Sequence, residues 1–271
     1  MNYSNTQYKK LKNLFDNTQD VFVIHWSRQN LTDNEGGFST PRIIGIIIRS
    51  LNGAITKTFA IHLEAEKAGL TSEDIDTYYD QLEEQVLKNF IVFTEQYSTN
   101  IWVHWDSDDP HVGFEAIDHR YRVLYNKGVE EGEQEEIQNT FKIPLQNRIN
   151  LNSCLKEIYG LKYEKPPQLQ NLIKSNNDGQ LVNGILALED EARAFNQSRY
   201  PQILQSLQKK ADFLIDTLRK TVDKKLVVSN KNILYKIEKF YTSFNGRDSL
   251  VSYCYQSNFS FYNIIIKLLY N

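Results

Sequence analysis

A chain of 271 residues that is 41% hydrophobic and 12% aromatic can bury a core of domain size, which excludes a wholly disordered linker or tail. The longest aliphatic run, residues 43–48, is too short to span a bilayer. The opening stretch MNYSNTQYKKLKNLFDN has no apolar segment of secretory type, and Cys154 and Cys254 form no CxxC pair, so reduced thiols in a cytoplasmic protein are expected.

The net charge of −3 hides an asymmetry. Residues 1–140 hold 12 Lys+Arg against 23 Asp+Glu, and residues 141–271 hold 19 against 11. All five histidines and all three tryptophans lie in the first 119 residues. The acidic half therefore carries the candidate chemistry, and the basic half suits a polyanion or an acidic protein surface. Two solvated faces of opposite bias are the ordinary alternative.

In chain order, VFVIHWSRQ (21–29) reads as a buried strand. A polar loop with Gly36-Gly37 follows, then RIIGIIIRS (42–50) as a second strand. Asn52-Gly53 is a two-residue hairpin signal leading into a third strand over 54–63, so the first three strands form an antiparallel meander. The spacing of Ile75, Tyr79, Leu82, Val86, Phe90, Phe93 and Tyr97 predicts a helix over 71–97, with Thr71 and Asp74 resembling a capping box. A fourth strand is expected over 100–105 and a helix over 113–125. The acidic stretch 128–139 reads as a solvent loop. A short helix over 150–159 ends at Gly160, and Pro166-Pro167 breaks the chain. A weak helix is expected over 169–175. A long helix starts at Leu188, with Tyr200, Ile203, Leu204, Leu207, Ala211, Leu214, Leu218 and Val222 as its buried stripe. Another helix is expected over 230–244, and the closing FSFYNIIIKLLYN fits strand or helix.

The stretch IWVHWDSDDPHVGFEAIDHRY (101–121) is the densest in chemistry. An apolar run ends in His104, Trp105 and three aspartates, Asp106, Asp108 and Asp109. His111, Glu115, Asp118 and His119 follow. A buried strand that delivers polar groups to its C-terminal end, ahead of a helix, is where open α/β sheets build sites. Walker, Gly-x-Ser-x-Gly and dinucleotide fingerprints are absent from the sequence.

The order strand, strand–hairpin–strand, helix, strand, helix resembles the ribonuclease H-like fold, and more specifically the proofreading-type 3′–5′ exonucleases with an Asp-Glu-Asp-Asp metal site. VHWDSDDPHVGFEAI resembles that family's fourth-strand region, LNSCLKEIYGL its short Leu-rich helix, and ALEDEARAF its final motif, with Asp190 at the Asp position. The resemblance spans roughly residues 20–200. His25 and Ser27 stand where the family has the Asp and Glu of its first strand, and Ile185 stands where it has a catalytic histidine. A two-metal site needs several converging carboxylates. The resemblance therefore implies an α/β, ribonuclease H-like mixed sheet flanked by helices (residues 1–200) and a degenerate site; beyond it, residues 201–271 are expected to form a helical, basic and aromatic C-terminal extension. If that site works, Mg²⁺ or Mn²⁺ is held by Asp106, Asp109 and Asp190, and His104 and His25 move protons beside Asp106 and Asp109.

Each candidate has an ordinary alternative. Parallel first and fourth strands would set His25 and His104 at equal heights, with Trp26 and Trp105 on the opposite face; two hydrogen-bonded strand-end histidines would look the same in sequence. The aspartates before Pro110 suit a turn or helix cap as well as a metal. Glu64 and Glu66 read as solvated loop acids, Glu115 and His119 as an i,i+4 surface pair, and Glu189, Asp190 and Glu191 as acids favoured at a helix start. Lys209, Lys210, Arg219, Lys220, Lys224, Lys225, Lys231, Lys236 and Lys239, with ten aromatics between Tyr235 and Tyr270, suit phosphate neutralisation and base stacking. They also suit a ring-packed helical core with a lysine-rich outside.

Two expectations follow. One is an exonuclease-like nucleic-acid-binding or nucleic-acid-processing protein with a degenerate metal site. For it, an Asn-, Ile- and Lys-rich composition points to an AT-rich bacterial genome; a role in anti-phage or mobile-element conflict is set beside it as an expectation that the composition does not carry. The other is a non-catalytic protein–protein interaction subunit, in which acidic and basic halves pair within a homo-oligomer or with a partner protein.

Overall fold

The computed structural model describes residues 3–29, 42–106, 113–126, 142–160 and 185–226. Five strands form one sheet: β1 (Val21–Arg28), β2 (Ile43–Ser50), β3 (Thr56–Ala60), β4 (Ile101–His104) and β5 (Arg148–Asn150). Their order is β3-β2-β1-β4-β5. The first three are antiparallel, with Ile24 opposite Ile48 and Ile46 opposite Phe59. Strand β4 lies parallel to β1, Val23 beside Val103, and β5 parallel to β4, Val103 beside Ile149. The expected meander and the parallel pairing of first and fourth strands are both present.

The meander follows from local chemistry. Five of the eight residues of β2 are isoleucine, and the strand is buried along nearly its whole length, as a β-branched run in a central strand should be. The turn after it places Gly53 at φ 78°, a left-handed conformation that glycine adopts without Cβ strain. Alternation along β1 sends Phe22, Ile24 and Trp26 into one apolar cluster and Val21 and Val23 into another.

Helices α1 (Tyr3–Asn13), α2 (Ile61–Lys67), α3 (Tyr79–Gln96), α4 (Phe114–Asn126), α5 (Leu151–Tyr159), α6 (Leu188–Asn196) and α7 (Tyr200–Val222) surround the sheet. α3 and α4 bury Val86, Phe90, Phe114 and Ile117 in the cluster of Phe22 and Trp26. Leu11 from α1, with Leu151 and Leu155 from α5, joins Val21, Val23, Val103 and Ile149. Fully burying each such side chain contributes about 1.5–3 kcal/mol. Helix α7 spans both clusters, with Ile203, Leu207 and Ala211 in the first and Leu214, Ile215 and Leu218 in the second. The helix at the start of the expected C-terminal extension is thus part of the sheet's own core.

Several boundaries differ from expectation. The third strand stops at Ala60, where α2 begins. Asp74 accepts hydrogen bonds from the Thr71 N–H (2.8 Å) and hydroxyl (2.7 Å), yet the regular helix starts only at Tyr79. The long helix from Leu188 is two helices, broken where Ser198 takes φ 55°. Pro201 sits in the first turn of α7, where its missing N–H costs nothing. α5 is capped by Asn150, whose side chain accepts from the Ser153 N–H, and ends at Gly160 with φ 73°. The sequence reading did not foresee α1 or β5. The segments read as 128–139, 169–175, 230–244 and the closing apolar stretch lie outside the described residues, as do Gly36-Gly37 and Pro166-Pro167. No described helix is long and apolar enough to cross a membrane.

Candidate functional site

Because β1 and β4 are parallel, their C-terminal ends meet at one edge of the sheet. The His104 imidazole stacks on the Trp26 indole, with centroids 3.8 Å apart, and Phe114 packs edge-on against both rings. The Asp106 N–H donates to His104 Nδ1 at 3.2 Å, so the neutral ring carries its proton on Nε2. Burial holds the His104 pKa down at about 3, with the Arg28 charge acting in the same direction. His25 lies 6.1 Å from His104, ring to ring. Burial first, then the positive charges of Lys210, His104 and Arg28, push its pKa well below the usual histidine value. Its Nδ1 is sealed from solvent and has no hydrogen-bond partner among the described residues.

The expected equal height of His25 and His104 is corrected by the register. Val23 pairs with Val103, so His104 follows beside Ile24, on the face of Trp26. Trp105 instead packs with the cluster of Val103 and Ile149. Two histidines held neutral in this way are weak proton carriers near pH 7.

The opposite face of the same edge holds a closed polar network. Ser27 lies two residues after His25, on the same face of β1. Its hydroxyl donates to Glu191 Oε2 at 2.7 Å. The Ser206 hydroxyl (2.8 Å) and the Lys210 ammonium (2.7 Å) both donate to Glu191 Oε1. The Leu186 N–H donates to Ser206 Oγ at 3.0 Å. Ser27, Glu191 and Ser206 are fully buried and Lys210 is 6% exposed. Removing one partner of such a pair costs about 3–5 kcal/mol, because the other charge is left uncompensated.

The remaining site candidates scatter. Asp106 Oδ1 accepts from Asn152 Nδ2 at 2.8 Å. Asp190 is buried, but its carboxylate faces Arg193 at 3.0 Å; the helix-α6 acid that reaches β1 is Glu191. Asp108, Asp109 and His111 lie outside the described residues, as do Lys231, Lys236, Lys239 and the aromatics from Tyr235 onward. Of the candidate phosphate contacts, Lys210 is not on the surface. Lys209, Arg219, Lys220, Lys224 and Lys225 are exposed, with Lys220 paired to Asp216 (2.6 Å) and Lys225 close to Asp223 (3.4 Å). Asp118 pairs with Arg122 at 2.9 Å. Glu64 is a buried helix residue, not a solvated loop acid, and accepts from Lys67 and Asn89.

The described donors do not fit Mg²⁺ or Mn²⁺. No group of three or more His, Cys, Asp or Glu is gathered as metal ligands among the described residues. Both oxygens of Glu191 are already engaged by two hydroxyls and an ammonium. A hard divalent cation requires several free oxygen ligands at one point.

Ser206, the contact of Glu191 with β1 and the inward course of Lys210 escaped the sequence reading, which took Glu191 as a helix-start acid, although a signal for Lys210 was there. Ile203, Leu207, Lys210 and Leu214 fall at i, i+4, i+7 and i+11, which is one helix face. No protein-family model, no curated protein and no solved structure matches the chain.

Proposed function

We propose that the chain is a nucleic-acid-binding protein on a ribonuclease H-like, exonuclease-like scaffold, with an internal ion pair where a metal site would stand. The strand order β3-β2-β1-β4-β5, with β4 parallel to β1, supports the scaffold. So does the way α6 brings an acid to the end of β1. The observation that carries the reading is the Lys210 ammonium 2.7 Å from Glu191, which shares its other oxygen with Ser27. Ser27 is a position where the resemblance calls for an acid. A tethered lysine there supplies the positive charge without the open coordination positions that metal-assisted hydrolysis needs. Binding is then left to exposed cations such as Lys209, Arg219 and Lys224, which neutralise phosphates.

Fluorescence anisotropy with short labelled single-stranded and duplex oligonucleotides tests the reading. Affinity is expected at about 50 mM salt, with log K falling linearly as log[salt] rises. No binding to any of them at that salt overturns it. A stable oligomer that ignores nucleic acid would favour the interaction-subunit alternative.

A further inference from the structure

Helix α7 ends in a turn with the hydrogen bonds of a glycine cap. The Lys224 N–H donates to the Thr221 carbonyl (3.0 Å) and the Lys225 N–H to the Lys220 carbonyl (2.7 Å), a pair that closes a helix through one left-handed residue. That residue is Lys224, at φ 59°. Glycine is favoured at such a position because a Cβ is strained there. The helix dipole does not call for this lysine either, since Arg219 and Lys220 already stand in the last turn. Lys220 and Lys225 face Asp216 and Asp223, whereas Lys224 has no acid partner among the described residues. Its ammonium lies 5.4 Å from the centroid of the Tyr8 ring in α1. The Tyr8 hydroxyl donates to the Val222 carbonyl at 2.6 Å, so the tyrosine ties α1 to the end of α7 and seats the lysine. Lys12 is four residues after Tyr8 and three after Lys9, which makes it a surface neighbour of both. Lys9 and Lys12 are exposed, and neither has an acid partner among the described residues.

We propose that Lys9, Lys12 and Lys224 form a docking surface for the phosphate backbone of a nucleic-acid strand, with Tyr8 as the residue that positions Lys224. The proposal rests on the nucleic-acid-binding reading above and gives it a place on the molecule. A lysine in a glycine conformation and a group of uncompensated like charges both cost the fold stability, and a bound polyanion offsets that cost. Lysines recognise phosphate as point charges, so binding here is independent of base sequence. Arg219 in the last turn of α7 donates to the Leu51 carbonyl (3.3 Å), and the Leu51 N–H to the Val21 carbonyl (2.8 Å). The surface therefore stands by the start of β1, and a strand held on it lies at the other end of β1 from Ser27 and Glu191.

The test measures oligonucleotide anisotropy against salt, and Tm on the same samples, for wild type, Lys224→Gly, Lys9→Ala/Lys12→Ala, the triple variant, and Lys57→Ala on the exposed part of β3 as a control. Lys224→Gly should weaken binding and lower the slope of log K against log[salt] by about 0.7–0.9, yet keep its Tm within about 4 °C of wild type because the glycine suits the turn. The triple variant should lose about 2–3 from the slope and bind roughly ten- to a hundredfold more weakly at about 50 mM salt. Lys57→Ala should lose less than Lys224→Gly. If the wild type binds and the triple variant matches it, or Lys57→Ala loses as much as Lys224→Gly, this surface is overturned while the nucleic-acid reading stands. A large fall in Tm for Lys224→Gly overturns the assignment by marking the lysine as structural. If the wild type binds no oligonucleotide, the reading and the surface fail together; capture on phosphatidylserine vesicles in that case would assign the lysines to a membrane instead.

Discussion

The imidazole of His104 lies face to face with the indole of Trp26, 3.8 Å between centroids and 3° from parallel. The ring is only 4% exposed, and burial against apolar surfaces disfavours its charged form. Its pKa of about 3 in the folded protein compares with 6.5 when unfolded. Below pH 6.5 the unfolded chain therefore takes up a proton that the folded ring refuses. Stability contributed here is complete above pH 6.5 and is lost progressively as pH falls toward 3, about 2 kcal/mol of it by pH 5. His25 adds in the same direction. Urea unfolding between pH 7 and pH 5 should show this slope, and His104→Phe should flatten it. An unchanged slope in that variant contradicts the account of His104.

Glu83 and Arg120 form the main buried ion pair on the α3–α4 side of the sheet. Arg120 donates through Nε to Oε1 (3.0 Å) and through Nη2 to Oε2 (2.6 Å), and the Ile43 N–H donates to the same Oε1. Burial raises the Glu83 pKa against the pull of Arg120. Arg120→Leu strands the carboxylate and should cost about 3–5 kcal/mol at pH 7. Without its partner, the folded Glu83 holds a proton more readily than the unfolded one, so the deficit should shrink as pH falls toward 5. Urea unfolding at the two pH values checks this; a deficit that stays constant contradicts it.

Gly45 lies where Leu207 of α7 packs closely on the sheet. A Cβ there would lie 3.2 Å from both Ala60 Cβ and Leu207 Cδ1, and 3.3 Å from the Phe59 carbonyl oxygen. Two of these are fixed by the adjacent strand, so a branched side chain cannot be absorbed by the leucine alone. Gly45→Val should cost about 1–3 kcal/mol through overpacking, and Gly45→Ala less. Urea midpoints rank the two; a valine variant as stable as wild type contradicts this packing.

Sequence made the meander legible because its signals are local and strong. Asn52-Gly53 fixes a turn, and the isoleucines of 43–48 have one good use, a central strand. The stripe from Ile75 to Phe90 is equally plain. β5 was missed because three residues, Arg148–Asn150, give no periodicity; parallel pairing with β4 makes them a strand. The break between α6 and α7 was missed because Ser198 adopts a left-handed backbone that serine's identity does not announce.

The site was legible in place but not in its members. Sequence brought the ends of the first and fourth strands together and put an acidic helix nearby. It selected Asp190, yet a step of one residue turns a helix by about 100°. That step separates an acid paired with Arg193 from one aimed at Ser27. Lys210 was grouped with Lys209 by adjacency, although the same one-residue step of about 100° separates them around the helix. One is exposed and the other closes the core.

The most direct test of binding without metal-assisted cleavage is to incubate the wild type with labelled single-stranded and duplex DNA and RNA in Mg²⁺ or Mn²⁺. Retention and strand length are then read on the same samples. The account predicts that the oligonucleotides are retained and stay full length in both metals. Metal-dependent shortening by the wild type that disappears in Glu191→Gln or Asp106→Ala would contradict it.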